Sequence, residues 1–225
     1  TRLAIICGLL ICLTGPSSAD AADNRSISAA TALGKVGVDE VIFAVRQVDS
    51  DGHWYANFGH WSDRPERKLH HPGGRLCVLN VRTGKVKSLI NDPEGGVRDP
   101  HVHYDGKKIL FSYRKGAAPY YNLPEINSDG TGLKRITRGK YDDIEPIYLP
   151  DGDIVFCSSR ARRFVQCYFS RVATIHRCKP DGSGIRALSA NLEHDNTPWM
   201  LPDGRILHQR WEYIDRSQLR FHPRR

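Results

Sequence analysis

Between residues 39 and 217 the apolar positions come in short runs, each closed by a polar turn that contains glycine. Three of these runs align on Pro100, Pro146 and Pro198: DPHVHYDGKKILF (99–111), EPIYLPDGDIVF (145–156) and TPWMLPDGRILH (197–208). The same spacing carries each proline to an Asp-Gly pair, at Asp105-Gly106, Asp151-Gly152 and Asp203-Gly204. Asp-Gly between two apolar runs is a hairpin signal, because glycine accepts the positive φ that a tight turn demands. The pattern predicts a strand after each turn, at Lys108–Ser112, Ile154–Ser158 and Arg205–His208.

A second signature alternates with the first: CVLNVRTGKVKSLI (77–90), EINSDGTGLKRIT (125–137) and HRCKPDGSGIRALS (176–189). Each reads as strand, glycine turn, strand. The prolines recur after 46 and 52 residues, and Gly84, Gly132 and Gly184 after 48 and 52. Four short antiparallel strands at such a period are the pattern of a β-propeller blade. A β-sandwich also has many short strands, but it does not repeat its turn chemistry at this interval. The fold expected is all-β, a propeller of four-stranded antiparallel blades.

The proline-anchored segment followed by D-G-x-G-x-x-x-L-[ST] resembles the TolB-type, WD40-like repeat. Longer stretches are more specific: GHWYANFGHW (52–61), DPEGGVRDPHVHYDGKKILFSYRKG (92–116), YDDIEPIYLPDG (141–152) and EHDNTPWMLPDGRILHQRWEYIDRS (193–217). These resemble the propeller, or middle, domain of hydrazine synthase alpha subunits, over roughly residues 39–217. Relatives of that kind are exported proteins of planctomycetes, so the resemblance implies export.

The blades do not complete a ring. Val41–Ile90 supply most of one, 100–137 a second, 146–189 a third, and 198–211 the start of a fourth. About three and a half blades stand where about six are expected, within the four to eight that propellers use. The chain starts at Thr1 rather than Met and ends in mid-blade, so a segment of a longer protein is expected. A dimer of half rings is the alternative.

Arg2, the 11-residue apolar run Leu3–Leu13 and small residues up to Ala22 read as a secretory signal peptide, too short to span a bilayer as a helix. A buried core helix is the alternative. The division expected is signal peptide 1–22, linker 23–38, partial propeller 39–217 and tail 218–225. Composition adds compartment and partners. The 225 residues carry a formal net charge of +8, unchanged by loss of residues 1–22, which leaves Cys77, Cys157, Cys167 and Cys178. Export permits a disulfide among the last three, with no pairing readable from spacing.

In a propeller the innermost strands line the axial channel. If the proline-anchored strands are innermost, Asp99, Asp142, Asp143, Glu145, His194 and Asp195 converge, with His101 and His103 on one strand face. Two readings stand. An acidic funnel would take a divalent cation or a positively charged ligand, or these residues satisfy turn and loop amides. His101, His103, His194, Cys157 and Cys167 are metal-ligating by residue type. The family resemblance places a Cys where this sequence has Ala161, which weakens a cysteine-based site. It also raises haem, but covalent haem needs Cys-x-x-Cys-His, and the sequence contains none.

An insertion within the first blade, Val48–Gly74, carries His53, Trp54, Tyr55, Phe58 and Trp61, and is read as a partner-docking loop or a cover for the blade's end. The arginines at 160, 162, 163, 220, 224 and 225 are read as a solvated face, nucleic acid being excluded by export. The functional expectation is an exported binding, docking or scaffold segment, not catalytic by itself and not membrane-spanning once the signal is removed. Its partner would be another protein or the remaining domains of a longer chain. The alternative is the propeller portion of a hydrazine-synthase-like redox enzyme, contributing to a haem or metal pocket.

Overall fold

A computed structural model describes residues 2–5, 31–47, 64, 70–166 and 168–212. The propeller expectation holds. Strands β1 (Arg2–Ile5), β2 (Val38–Val45), β3 (Gly74–Asn80) and β4 (Val86–Asp92) form a first sheet, blade 1. Blade 2 contains β5 (Gly96–Val102), β6 (Lys108–Arg114), β7 (Pro124–Asn127) and β8 (Lys134–Arg135). Blade 3 contains β9 (Asp143–Tyr148), β10 (Ile154–Ser158), β11 (Thr174–Cys178) and β12 (Arg186–Ala187). A fourth sheet holds only β13 (Asp195–Met200) and β14 (Ile206–Arg210). The strands of blades 2 and 3 pair in sequence order and antiparallel, with β5, β9 and β13 as inner strands. Neighbouring inner strands pack on each other, and the ring is open.

Blade 1 departs from the pattern. Its inner position is taken by β1, which runs parallel to β2, with Leu3 opposite Glu40 and Ile5 opposite Ile42. Without β1 the inner edge of β2 would be a row of unpaired backbone groups, and a strand can satisfy them in either direction. Residues 2–5 are the only part of the expected signal segment that is described. The expected linker is not featureless: 31–35 make a helical turn before β2 begins.

The turn chemistry explains the repeats. Asp105, Asp129, Asp151, Asp181 and Asp203 each accept, through Oδ1, the backbone N–H two residues further on, at 2.8–3.1 Å. The glycine after each has a φ between 72° and 96°. The hydroxyls of the second signature have a parallel duty. Thr137 accepts the Leu123 N–H at 3.0 Å and Ser189 the Ile175 N–H at 2.9 Å, closing the outer strands.

Each sheet is apolar on both faces, so its runs are continuous rather than alternating. Ile109 and Phe111 of β6 join Ile42, Leu76 and Val78 in the core between blades 1 and 2. Leu110 turns the other way and meets Ile154, Phe156 and Cys178 of blade 3. Val155, Cys157 and Ile175 cover the far face of blade 3, against Met200 and Ile206. The core therefore lies in the clefts between blades. Cys77, Cys157 and Cys178 are buried and free. A bridge between Cys157 and Cys178 is not formed, because they lie in different clefts on opposite faces of blade 3. Cys167 lies outside the described residues.

Gly182 is the tightest of the turn glycines: a Cβ there would sit 2.1 Å from the Ile136 carbonyl oxygen at φ +84°. Gly204 has a similar φ, +87°, and open space. Gly204→Ala should cost about 1–2 kcal/mol, the left-handed penalty alone. Gly182→Ala should cost about 2–4 kcal/mol by moving blade 3 away from blade 2. Urea unfolding of both variants measures the difference; equal losses would contradict the packing.

Candidate functional site at the inner strands

The inner strands share a backbone feature that sequence reasoning did not find. Asp99, Glu145 and Thr197, the residues before the three prolines, have φ of 53°, 52° and 52°. Each coincides with a register shift in its hairpin, so each inner strand bulges at the same place. A residue before proline ordinarily reads as extended. Holding a non-glycine residue left-handed costs about 1–3 kcal/mol, maintained only where surroundings fix it.

Hydrogen bonds between blades fix it here. The Glu145 N–H donates to Asp99 Oδ2 at 3.2 Å and to Ser112 Oγ at 3.1 Å. One blade on, the Thr197 N–H donates to Glu145 Oε2 at 2.6 Å. Each carboxylate at a bulge thus accepts the amide at the bulge of the next blade. Partners from the second strand support both carboxylates: Ser112 Oγ donates to Asp99 Oδ2 at 3.0 Å, and Cys157 Sγ to Glu145 Oε2 at 3.3 Å. Burial and the neighbouring Glu145 push the Cys157 thiol well up, which keeps it a donor. Arg98, 5% exposed, completes the cluster, with Nε 2.6 Å from Asp99 Oδ2 and Nη2 3.5 Å from Glu145 Oε1. Burial alone would lower its pKa, but Asp99 and Glu145 outweigh that and hold it protonated.

The remaining candidates have a second structural duty at the entrance to the inner strands. Asp142 Oδ1 accepts the Tyr121 N–H at 2.9 Å, and His194 Nδ1 accepts the Ala173 N–H at 2.9 Å. The next residues return the bond: Asp143 N–H donates to Tyr121 O at 3.0 Å and Asp195 N–H to Ala173 O at 2.9 Å. Asp142–Asp143 and His194–Asp195 are therefore the same two-residue clip in successive blades. Asp143 is held by Arg160 and by Ser158 Oγ, and Asp195 by the Arg210 fork at 2.8 and 3.0 Å. Burial raises the Asp143 pKa despite Arg160. For Asp195 burial acts in the same sense, but Arg210 prevails and the pKa is lowered.

His101 and His103 do share a face, as expected. Their ring centroids lie 5.8 and 4.8 Å from that of Tyr148, and Trp199 stands 5.9 Å from His101. Burial, with His103 adding to it, lowers the His101 pKa to about 4, so the ring is neutral. Among the described residues no three His, Cys, Asp or Glu side chains are grouped to hold a metal ion. His194 is committed to the Ala173 amide, apart from the His101–His103 pair. The candidate docking residues His53, Trp54, Tyr55, Phe58 and Trp61 lie outside the described residues, as does Cys167.

Comparisons with known proteins agree with the propeller fold. No family model matches the chain. It is 31% identical to hydrazine synthase subunit alpha of Kuenenia stuttgartiensis over 119 residues, 52% of this chain and 13% of that one. It is 30% identical to the Tol-Pal system protein TolB of Francisella tularensis over 135 residues, 59% of this chain and 29% of that one. The chain thus spans less than a third of either curated relative. The solved hydrazine synthase of Kuenenia stuttgartiensis matches 76% of this chain and 27% of its own at a TM-score of 0.62 and 21% identity. A protein assigned as TolB from Agrobacterium tumefaciens matches 76% of this chain and 52% of its own, with a TM-score of 0.50 and 19% identity. The fold is therefore a β-propeller similar to those of hydrazine synthase and TolB, with an open ring among the described residues. Within that fold the sequence resembles hydrazine synthase subunit alpha.

Asp142 carries a pH signature. Burial, partly opposed by the Tyr121 N–H and reinforced by Asp143, raises its pKa to about 7, against roughly 3.9 in an unfolded chain. The folded state thus favours the protonated acid, so its stability is full below about pH 4 and declines as pH rises towards 7. Asp142→Asn keeps the amide acceptor and should flatten that decline, leaving the variant the more stable form above pH 7. Thermal melts across this range measure it; an unchanged slope would contradict the assignment.

Proposed function

We propose that this chain is a non-catalytic docking and scaffold segment of an exported protein. The observation that carries the reading is that its convergent acids are already engaged. Asp99 and Glu145 take amides of the next blade, Asp142 and His194 take loop amides, and Arg98, Arg160 and Arg210 balance Asp99, Glu145, Asp143 and Asp195. A catalytic acid or base needs a proton-transfer path to substrate. These groups face backbone amides, hydroxyls and arginines instead. The apolar N-terminal run and the Tol-Pal and hydrazine synthase relatives support an exported setting. No helix among the described residues is long and apolar enough to cross a membrane.

A second reading, the propeller portion of a hydrazine-synthase-like redox enzyme, is favoured by the 31% identity to that subunit. The residues present do not fit covalent haem. There is no Cys-x-x-Cys-His, and Cys77, Cys157 and Cys178 lie buried on three separate strands. Under this reading the segment would shape a pocket whose cofactor is held elsewhere. If the gene encodes such a motif beyond this sequence, the longer product should show c-type haem absorption; a longer product without it would contradict the second reading.

Asp99→Asn and Glu145→Gln separate the two. The scaffold reading expects each to lower stability by about 1–2 kcal/mol through weakened latches. Any activity of the longer protein should then follow its folded fraction. Loss of turnover with unchanged melting would instead assign these carboxylates to chemistry.

A further inference from the structure

The loop end of blade 3 combines exposed aromatic groups with unbalanced positive charge. The connection between β10 and β11 rises as a small hairpin, closed by Val165 N–H to Ser170 O and Val172 N–H to Arg163 O, both 2.9 Å. A bridge pairs Phe164 with Arg171, whose guanidinium lies 5.6 Å from the Phe164 ring centroid. Phe164 and Phe169 are each 52% exposed. Leu192, 66% exposed, lies on the segment before β13, which is tied to the hairpin by Arg163 to Asn191 O and Gln166 N–H to Glu193 Oε1.

The charges here are sorted by depth. Segments 136–143, 159–173 and 188–195 contain four carboxylates, Asp142, Asp143, Glu193 and Asp195, and all are 2% exposed or less. The exposed charges on the same segments, Arg138, Lys140 and Arg162, are all positive, and Arg163 and Arg171 are half-buried beside them. Tyr141 stands among the guanidiniums, with Arg160 4.9 Å and Arg162 5.4 Å from its ring centroid. The opposite end of the blades differs: its turn aspartates are balanced, as Asp151 and Asp153 are by Arg177 and Lys179.

We propose that this end of blade 3 docks on an anionic phospholipid surface. Phe164, Phe169 and Leu192 would enter the headgroup–acyl boundary, while the exposed Arg138, Lys140 and Arg162 meet phosphates. Exposed apolar side chains on segments whose exposed charges are all positive suit a fluid anionic surface, which needs no complementary pocket.

Co-sedimentation of the full chain with phosphatidylcholine vesicles, with and without phosphatidylglycerol, tests this. The parent should gain binding from the anionic lipid and lose that gain as salt rises. Combined Arg138→Gln, Lys140→Gln and Arg162→Gln should reduce the gain on the order of a hundredfold, at about fivefold per cation. Phe164→Ser with Phe169→Ser should reduce it about tenfold or more. All forms share the apolar N-terminal run, so differences between them report on the loop end. Amide exchange on the parent, independent of any variant, should show protection at 162–171 when anionic vesicles are added. No gain from phosphatidylglycerol, a triple variant that sediments like the parent, or unprotected 162–171 would overturn the proposal. So would binding to a polyglutamate peptide without binding to vesicles, which would point to an acidic protein.

Discussion

A blade of this protein is apolar on both faces, so each blade buries its core residues only against the blades beside it. Everything else follows from that constraint. Ile109 and Phe111 point into one cleft and Leu110 into the next, and Val155 and Phe156 divide in the same way. Burying apolar surface drives the stacking but does not orient it, because the hydrophobic effect is non-directional. Orientation comes from the inner strands, where Asp99 takes the Glu145 amide and Glu145 takes the Thr197 amide.

The latches and the strain belong together. Turning Glu145 left-handed before its proline is costly, but it presents that N–H to the neighbouring blade. Two carboxylates brought to the axis would repel, and Arg98, buried between them, removes that penalty. The clips at Asp142–Asp143 and His194–Asp195 repeat the principle near the rim. The residues that in sequence suggest an acidic funnel also fasten one blade to the next. Chemistry directed outward lies at the blade 3 loop end, where the carboxylates are buried and the cations exposed.

The turns were legible in the sequence because their chemistry is local. An aspartate that accepts the amide two residues on, followed by a glycine at positive φ, needs no tertiary context, and five turns obey it. The inner strands were legible through their prolines, and the shared face of His101 and His103 through strand periodicity. The bulges were not, because a residue before proline ordinarily reads as extended and only contacts with the next blade reverse that. Arg98 was missed for another reason: its repeat positions are Ile144 and Asn196, so no recurrence marks it. Ser112 pairs opposite Arg98 and Cys157 opposite Ile144, and both donate to a bulge carboxylate, a correspondence visible only in the strand pairing. Strand β1 pairs parallel to β2, and no turn signature or repeat in the sequence announces it.

The central claim, that carboxylates of the inner strands fasten one blade to the next, is tested most directly at the Thr197 amide. Thr197 is an exposed residue, and its N–H donates to Glu145 Oε2 in the neighbouring blade, with the Cys157 thiol beside it. Amide exchange measured residue by residue should find this N–H slow in the parent chain. In Glu145→Ala it should speed up to the rate of an open loop, while the amides of β10 stay protected. A Thr197 amide that already exchanges at loop rates in the parent, or that stays slow in the variant, would contradict the account.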